Sequence, residues 1–219
     1  MISFAEENYL KAIFKITEKD RKSAGTNAIA AILNTSAASV TDMLQRLAEK
    51  ELVSYEKYKG VSLAPSGNKI ATDLIRKHRL WEVFLVDKLN FSWEQIHDIA
   101  EQMEHIKSEA LIDKLDNYLG NPRFDPHGDP IPTKEGKFMI RNQYSLDLLH
   151  EGETGVLVGV RHHMTEFLNY LNELKIALGT ELRVIKKLEF DKSTRVRINN
   201  NEEVIFPKKI ARDLYVKKK

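Results

Sequence analysis

The chain has 219 residues, 42% of them hydrophobic and 30% charged, with a formal net charge of +2. That is enough apolar material for the core of one large domain or of two to three small ones. It contains no cysteine, which excludes disulfides and thiolate metal sites, and so small a net charge requires any nucleic-acid contact to come from a local patch. No apolar run nears the roughly 18 residues needed to span a bilayer. The opening MISFAEENYLKAIF carries acids where a signal peptide carries basic residues, so the expected location is the cytoplasm, with no membrane contact.

Residues 4–17 read as a helix, with Leu10, Ile13, Phe14 and Thr17 on one buried face. Thr26 is placed to cap a short helix through Leu33, with Ile29, Ile32 and Leu33 facing inward. After the turn at Asn34–Thr35–Ser36, Ser36 is placed to cap a longer helix whose apolar stripe is Val40, Met43, Leu44 and Leu47. Two strand-like runs then flank Lys59–Gly60, a hairpin signal. Two short helices, a tight turn and an immediate hairpin spell a winged helix-turn-helix; the plainer reading is a helical bundle with a surface hairpin.

A long helix is expected from Ser66 to about Lys88, with Ile70, Leu74, Trp81 and Leu85 along one side. Ser92 and Gln95 form a capping box for a helix running to about His105 or Ile106. Another, holding Leu111, Ile112, Leu115 and Leu119, stops at Gly120–Asn121–Pro122. Residues 121–141 hold four of the six prolines and read as a linker. Beyond it, short strands at 156–160, 182–185, 195–198 and 204–206 surround one helix near 165–174, a small, mostly β domain of barrel type. The fold class expected is mainly α with a small β domain, divided as 1–65, 66–122, the linker 123–141, and 142–219.

The chemistry concentrates in the helix expected over 93–106. His97, Glu101, Glu104 and His105 stand at i, i+4, i+7 and i+8 on one stripe, the donor types a divalent metal needs. At about 1.5 Å rise per residue, His97 and His105 lie roughly 12 Å apart along the axis, so one ion cannot take all four. Glu101, Glu104 and His105 can converge on one ion. His97 can join His78 and Glu82, at i and i+4 on the preceding helix, around a second. The plainer reading is a solvated Glu/His face. His127 and His150 read as bystanders.

HRLWEVFLVDKL followed by IHDIAEQMEHIKSEALIDKLDNYLGNPRFDPHGDPIP, with EENYLKAIF at the start and TSAASVTDMLQRLAEKELVSYEKYKGVSLAPSG between, resembles the diphtheria-toxin-repressor family of iron- and manganese-dependent regulators over nearly the whole chain. The resemblance implies a homodimer whose winged helices bind a palindromic DNA operator when metal is present, a helical dimerisation domain, an SH3-like C-terminal domain and two metal sites per subunit. It assigns His78, Glu82 and His97 to an ancillary site and Glu101, Glu104 and His105 to an activating one. A first-helix ligand at Asn8, with Glu7 as fallback, closes the activating site. Glutamate at 101, where iron-type members place cysteine, favours Mn²⁺ over Fe²⁺. Lys11 stands where some manganese-type members have a glutamate that builds a paired-metal site. The C-terminal domain is implied to lend His163 and Glu166, with His162 competing for the first role.

In the recognition helix Ser36, Ala37, Ala38 and Ser39 lie at the end that faces bases, while Ser39, Thr41 and Arg46, with Lys57, Tyr58 and Lys59 of the wing, suit phosphates. The function expected is metal-dependent repression that controls metal homeostasis, with no enzymatic activity. The rival readings are a winged-helix regulator answering an organic ligand and a His/Glu metalloenzyme. Glu104→Ala is expected to keep its fold and lose the metal response.

Overall fold

The structure, a computed structural model, describes residues 2–20, 22–56 and 59–219. The chain divides into two units, one of residues 1–78, 103–107 and 132–138, the other of residues 79–102, 108–131 and 139–219.

The first unit holds α1 (Phe4–Asp20), α2 (Thr26–Ile32), α3 (Ala37–Glu49), and a hairpin of β1 (Val53–Glu56) and β2 (Gly60–Leu63). Its core forms because the apolar stripes of α1 and α3 meet: Leu10, Ile13, Ile29, Val40, Leu44, Leu47 and Val61 are all fully buried together. Ser36 is the N-cap of α3, its hydroxyl accepting from Ser39 N at 3.1 Å, as its residue type predicts. Two expectations fail here. The N-cap of α2 is Gly25, without a side-chain cap, and Thr26 is already helical. Ile32 is 52% exposed, because α2 ends at that residue and Leu33 takes the turn at its C-terminus.

A long helix, α4 (Pro65–Leu89), begins in this unit and continues into the other. Gly67 is required at its start, since a Cβ there would lie 2.0 Å from the carbonyl oxygen of Leu52. The segment 132–138 adds Phe138, whose ring stacks on Phe14 at 5.5 Å.

The second unit holds the end of α4, then α5 (His97–Met103) and α6 (Glu109–Tyr118). The helix expected over 93–106 is therefore shorter. Gln95 does reach back to Ser92 N at 3.2 Å, but residues 93–95 form a turn and the helix stops at Met103. Ser108 caps α6 from the side chain. Leu111, expected inward, is 41% exposed.

The rest of this unit is a six-stranded antiparallel sheet of β3 (Tyr144–Ser145), β4 (Thr154–Val160), β5 (Glu181–Lys187), β6 (Thr194–Ile198), β7 (Glu202–Phe206) and β8 (Leu214–Lys218), ordered β3-β8-β4-β5-β6-β7. Two helices, α7 (Thr165–Glu173) and α8 (Lys208–Asp213), accompany it. Alternate residues of β4, β5 and β6, among them Leu157, Leu182, Val184 and Val196, join Leu168 and Leu171 of α7 in one core, the period-2 pattern of a sheet buried on one face. No helix among the described residues is long and apolar enough to cross a membrane.

Candidate metal centre

In the first unit, α1 presents Glu7 and Lys11 one turn apart, and residues 103–107 present Glu104 and His105. His105 Nδ1 lies 2.6 Å from Glu7 Oε2, with its ring stacked on Phe4 at 4.6 Å; its Nε2 lies 4.0 Å from Glu104 Oε1. Glu104 is 1% exposed. Lys11 Nζ donates to its Oε2 at 2.6 Å, and His78 Nδ1 lies at the same distance from that oxygen. So short a contact makes Nδ1–H a donor to the carboxylate, and the 3.3 Å approach of Lys11 to that nitrogen is then no hydrogen bond, both groups pointing at the same Glu104 oxygen. Burial raises the Glu104 pKa, but the bond from His78 and the charge of Lys11 outweigh it and hold it below the usual carboxylate range.

Of the expected first-helix ligands, Asn8 is exposed and Glu7, the fallback, is the one turned toward His105. The physical reason is register: Glu7 and Lys11 share a helix face, and Asn8 lies about 100° away. Glu101 does not sit in this unit. Because α5 ends at Met103, the continuous stripe expected through His105 is broken there.

The second unit builds a different centre. Glu82, from α4, is 1% exposed, and Asp125 and His127, from the loop before Pro130, are 4% and 0% exposed. Each offers one donor atom, and the three lie within 4.8 Å of one another. The loop is made by Asp125 itself: its Oδ1 accepts from His127 N and Asp129 N, both at 2.9 Å, an Asx-type turn. Gly128, at φ +90°, completes it; a Cβ there would meet Val158 O at 2.1 Å. One Asp125 oxygen thus holds the loop, and the other, Oδ2, is buried without a hydrogen-bond partner, 3.4 Å from Arg79 Nε.

His127 Nε2 lies 2.8 Å from the Trp93 carbonyl oxygen. A carbonyl only accepts, so Nε2 carries a proton. Its other nitrogen, Nδ1, is buried without a hydrogen-bond partner and faces Glu82 Oε2 at 3.7 Å. Burial depresses the His127 pKa, but Glu82 and Asp125 overcome it and push it up to about 9. Burial, with the charges of Glu82 and Asp129, pushes Asp125 up to about 7. His163 stacks on His127 at 4.2 Å; burial and the charge of His127 push it down to about 4. His97 lies 3.6 Å from both Glu82 Oε1 and Glu101 Oε1, and Glu101 is 51% exposed at its side chain.

Arg79 lies beside Asp125, yet Asp125 Oδ2 and His127 Nδ1 remain buried without hydrogen bonds, which makes two buried carboxylates and an imidazole nitrogen a donor set open to a further cation. A histidine whose far nitrogen is fixed by a backbone carbonyl is the arrangement that presents a neutral donor to a metal. The oxygen and nitrogen donors fit a divalent ion of the Mn²⁺, Fe²⁺ or Zn²⁺ kind.

His127, expected as a bystander, is thus central, and Asp125 was missed. The signal was present in the Asp-Pro-His-Gly-Asp run, three donor groups and a glycine within five residues. Of the C-terminal candidates, His163 joins this unit's centre, His162 turns instead to Asp213 at 3.5 Å, and Glu166 is exposed in the first turn of α7.

Among the nucleic-acid candidates, Ser36, Ala37, Ala38, Ser39 and Arg46 are exposed. Thr41 donates its hydroxyl proton to Ala37 O at 2.9 Å, which leaves its oxygen to accept only. Lys59 pairs with Glu56 at 2.7 Å. Lys57 and Tyr58 lie outside the described residues.

Three family profiles match consecutive parts of the chain: the iron-dependent repressor N-terminal DNA-binding domain over residues 1–61, the iron-dependent repressor metal-binding and dimerisation domain over 64–133, and the FeoA domain over 144–218. A solved structure described as a manganese-dependent transcriptional repressor in complex with manganese is 32% identical, with a TM-score of 0.88, covering 97% of this chain and 99% of that one. The chain belongs to the diphtheria-toxin-repressor family. Among its members, the diphtheria toxin repressor of Corynebacterium jeikeium is 32% identical over 126 residues, 58% of this chain and 52% of that protein. The HTH-type transcriptional regulator MntR of Bacillus pumilus is 37% identical over 109 residues, 50% of this chain and 74% of that one. The match thus spans about half the length of the first of these family members. The three-part architecture expected from sequence, a winged helix, a helical dimerisation domain and a small β domain, is the family's own.

Proposed function

We propose that this protein is a transcriptional repressor that binds a palindromic DNA operator as a homodimer when a divalent ion, Mn²⁺ ahead of Fe²⁺, fills its two centres, and that it controls metal-ion homeostasis in the cytoplasm. The carrying observation is the buried Glu82–Asp125–His127 centre, with Asp125 Oδ2 and His127 Nδ1 lacking hydrogen bonds. Its ligands are Glu82, Asp125 and His127, with His163 against the His127 ring and His97 beside Glu82. The assignment of His78 with Glu82 and His97 rests on helical spacing and the family resemblance.

In the first unit Glu7, Glu104 and His105 are the proposed ligands on the family resemblance; Glu7 faces Nδ1 of His105 and Glu104 its Nε2, so sharing one ion requires the ring or a carboxylate to turn. A bound ion supplies a double positive charge that two carboxylates and an imidazole share, replacing the proton between Glu7 and His105. Glu7 lies on α1, which packs against α2 and β2. Fixing Glu7 against residues 104–105 therefore fixes the element on which the winged helix rests. Ser36 and Ser39 hold the start of α3, exposed Ala37 and Ala38 allow close approach to base edges, and Arg46 suits a phosphate.

Metal and DNA must then strengthen each other by the same factor, typically 5- to 150-fold. The test is to select duplexes from a random pool with Mn²⁺ present and compare their binding with Mn²⁺ and with chelator. Binding that needs the ion and selects an inverted repeat supports the reading; equal binding in chelator refutes it.

A further inference from the structure

We propose that Lys11 is a fixed cation that clamps α1 to Glu104 in the metal-free protein, holding the Glu104 carboxylate in place together with His78 and giving the winged helix an attachment that needs no metal. The proposal rests on the reading of Glu7, Glu104 and His105 as a metal centre. Lys11 is 5% exposed, although it lies on a helix with open faces. Its ammonium donates to Glu104 Oε2 at 2.6 Å and lies 3.3 Å from His78 Nδ1. Glu104 and His78 stand 93 and 67 residues away in sequence, so the cluster in which Lys11 and His78 both donate to Glu104 joins three separated segments of the first unit.

The two oxygens of Glu104 face different groups. Oε2 is held by Lys11 and His78, while Oε1 is toward His105 Nε2 at 4.0 Å. The carboxylate thus keeps its orientation and its negative charge without an ion, and one oxygen stays toward His105 Nε2. A buried ammonium–carboxylate pair contributes less to net stability than to fixing one geometry, but removing one partner strands the other's charge. The ion and Lys11 consequently do the same mechanical work by different routes. The ion joins α1 to residues 104–105 through Glu7, and Lys11 joins α1 to Glu104 one helical turn later. The metal-free protein is then a partly fastened state rather than one with α1 detached.

The test is hydrogen exchange, read by mass spectrometry on the full chain, for wild type, Lys11→Gln and Lys11→Arg, each metal-free and with saturating Mn²⁺. Glutamine keeps a hydrogen-bond donor and removes the charge; arginine keeps the charge. Metal-free Lys11→Gln should exchange at least about tenfold faster in α1, with α3 unchanged, and Mn²⁺ should restore protection. Lys11→Arg should recover most of it without metal. Equal α1 exchange in metal-free wild type and Lys11→Gln overturns the clamp, as does faster exchange spread equally over α1 and α3 that Mn²⁺ does not repair. Should Lys11→Gln not fold, α1 exchange in wild type alone decides: protection below that of α3 by more than about a hundredfold without metal overturns the clamp. Equilibrium dialysis of wild type against Mn²⁺ is read separately. Absence of bound ion overturns the metal reading even where the exchange result stands.

Discussion

The Nε2–H of His127 donates to the carbonyl oxygen of Trp93 at 2.8 Å. That bond orients Nδ1 toward Glu82 and Asp125 and makes the imidazole a ready metal donor. His127→Ala removes a donor from a three-residue set, so Mn²⁺ affinity at this centre should fall at least about 100-fold, since even a ligand's supporting partners are worth 10- to 100-fold. Equilibrium dialysis with electron paramagnetic resonance of free Mn²⁺ measures it. An unchanged ion count and affinity would remove His127 from the centre.

The same centre gives the metal-free protein a pH dependence. His127 is raised to about 9 from 6.5, so its stabilising contribution is full below about pH 6.5 and disappears as pH rises through 9. Asp125 is raised to about 7 from 3.8, so its preference for the protonated folded form weakens as pH rises from about 4 through 7. Both act in the same direction. The metal-free protein should melt progressively lower between pH 6 and 9, and Mn²⁺ should flatten that fall, because the ion replaces the proton and binding releases protons. Calorimetric melts with chelator and with Mn²⁺ check this; a metal-free melting temperature that rises over that range would contradict it.

Gly128 holds the ligand loop closed at φ +90°, with Val158 O in the space a Cβ would need. Gly128→Ala should destabilise the protein by about 1–3 kcal/mol, since the backbone conformation itself carries that strain in other residues, and the lost loop geometry should weaken Mn²⁺ binding as well. Chemical denaturation and dialysis together test it. A variant of wild-type stability and affinity would show that the loop tolerates the side chain.

Arg46 lies exposed in the last turn of α3. Arg46→Ala should weaken DNA binding at all sequences alike and reduce the slope of log K against log salt by about 0.9, the signature of one lost phosphate contact. Fluorescence anisotropy across a salt series checks it; a change confined to one base position would place Arg46 at a base edge instead.

Much of this architecture is legible in the sequence because helices announce themselves through buried stripes. Leu10 and Ile13, and Val40, Leu44 and Leu47, all lie where periodicity places them, and the hairpin signalled at Lys59–Gly60 is formed by β1 and β2, with Gly60 already in β2. The candidate donors His78 and Glu82 of α4 and His97 and Glu101 of α5 could be picked out by helical spacing for the same reason. What was not legible depended on tertiary contacts. Residues 121–141 have no period, so Asp125 and His127 looked like linker, and only an Asx turn and a glycine bring them to Glu82. The end of α5 at Met103 follows no proline or glycine, and with it the stripe through Glu104 and His105 dissolves into a turn. The role of Lys11 was not legible either, because nothing local shows that Glu104, 93 residues on, provides its counter-charge.

That pairing also changes the Glu104→Ala experiment. Removing the carboxylate strands a buried ammonium beside His78, an effect of about 3–5 kcal/mol, so the alanine variant should lose stability rather than keep its fold intact. Glu104→Gln also removes the counter-charge of Lys11 but keeps the shape and a hydrogen-bonding oxygen for it, so it should lose less stability than the alanine variant while losing the charge an ion needs.

The direct measurement is anisotropy of a Mn²⁺-selected labelled duplex, titrated with wild type and Glu104→Gln in Mn²⁺ and in chelator. The account predicts wild-type binding at least about 5-fold tighter with Mn²⁺, and little or no gain for Glu104→Gln. Wild-type affinity that is the same in chelator as in Mn²⁺ would contradict it.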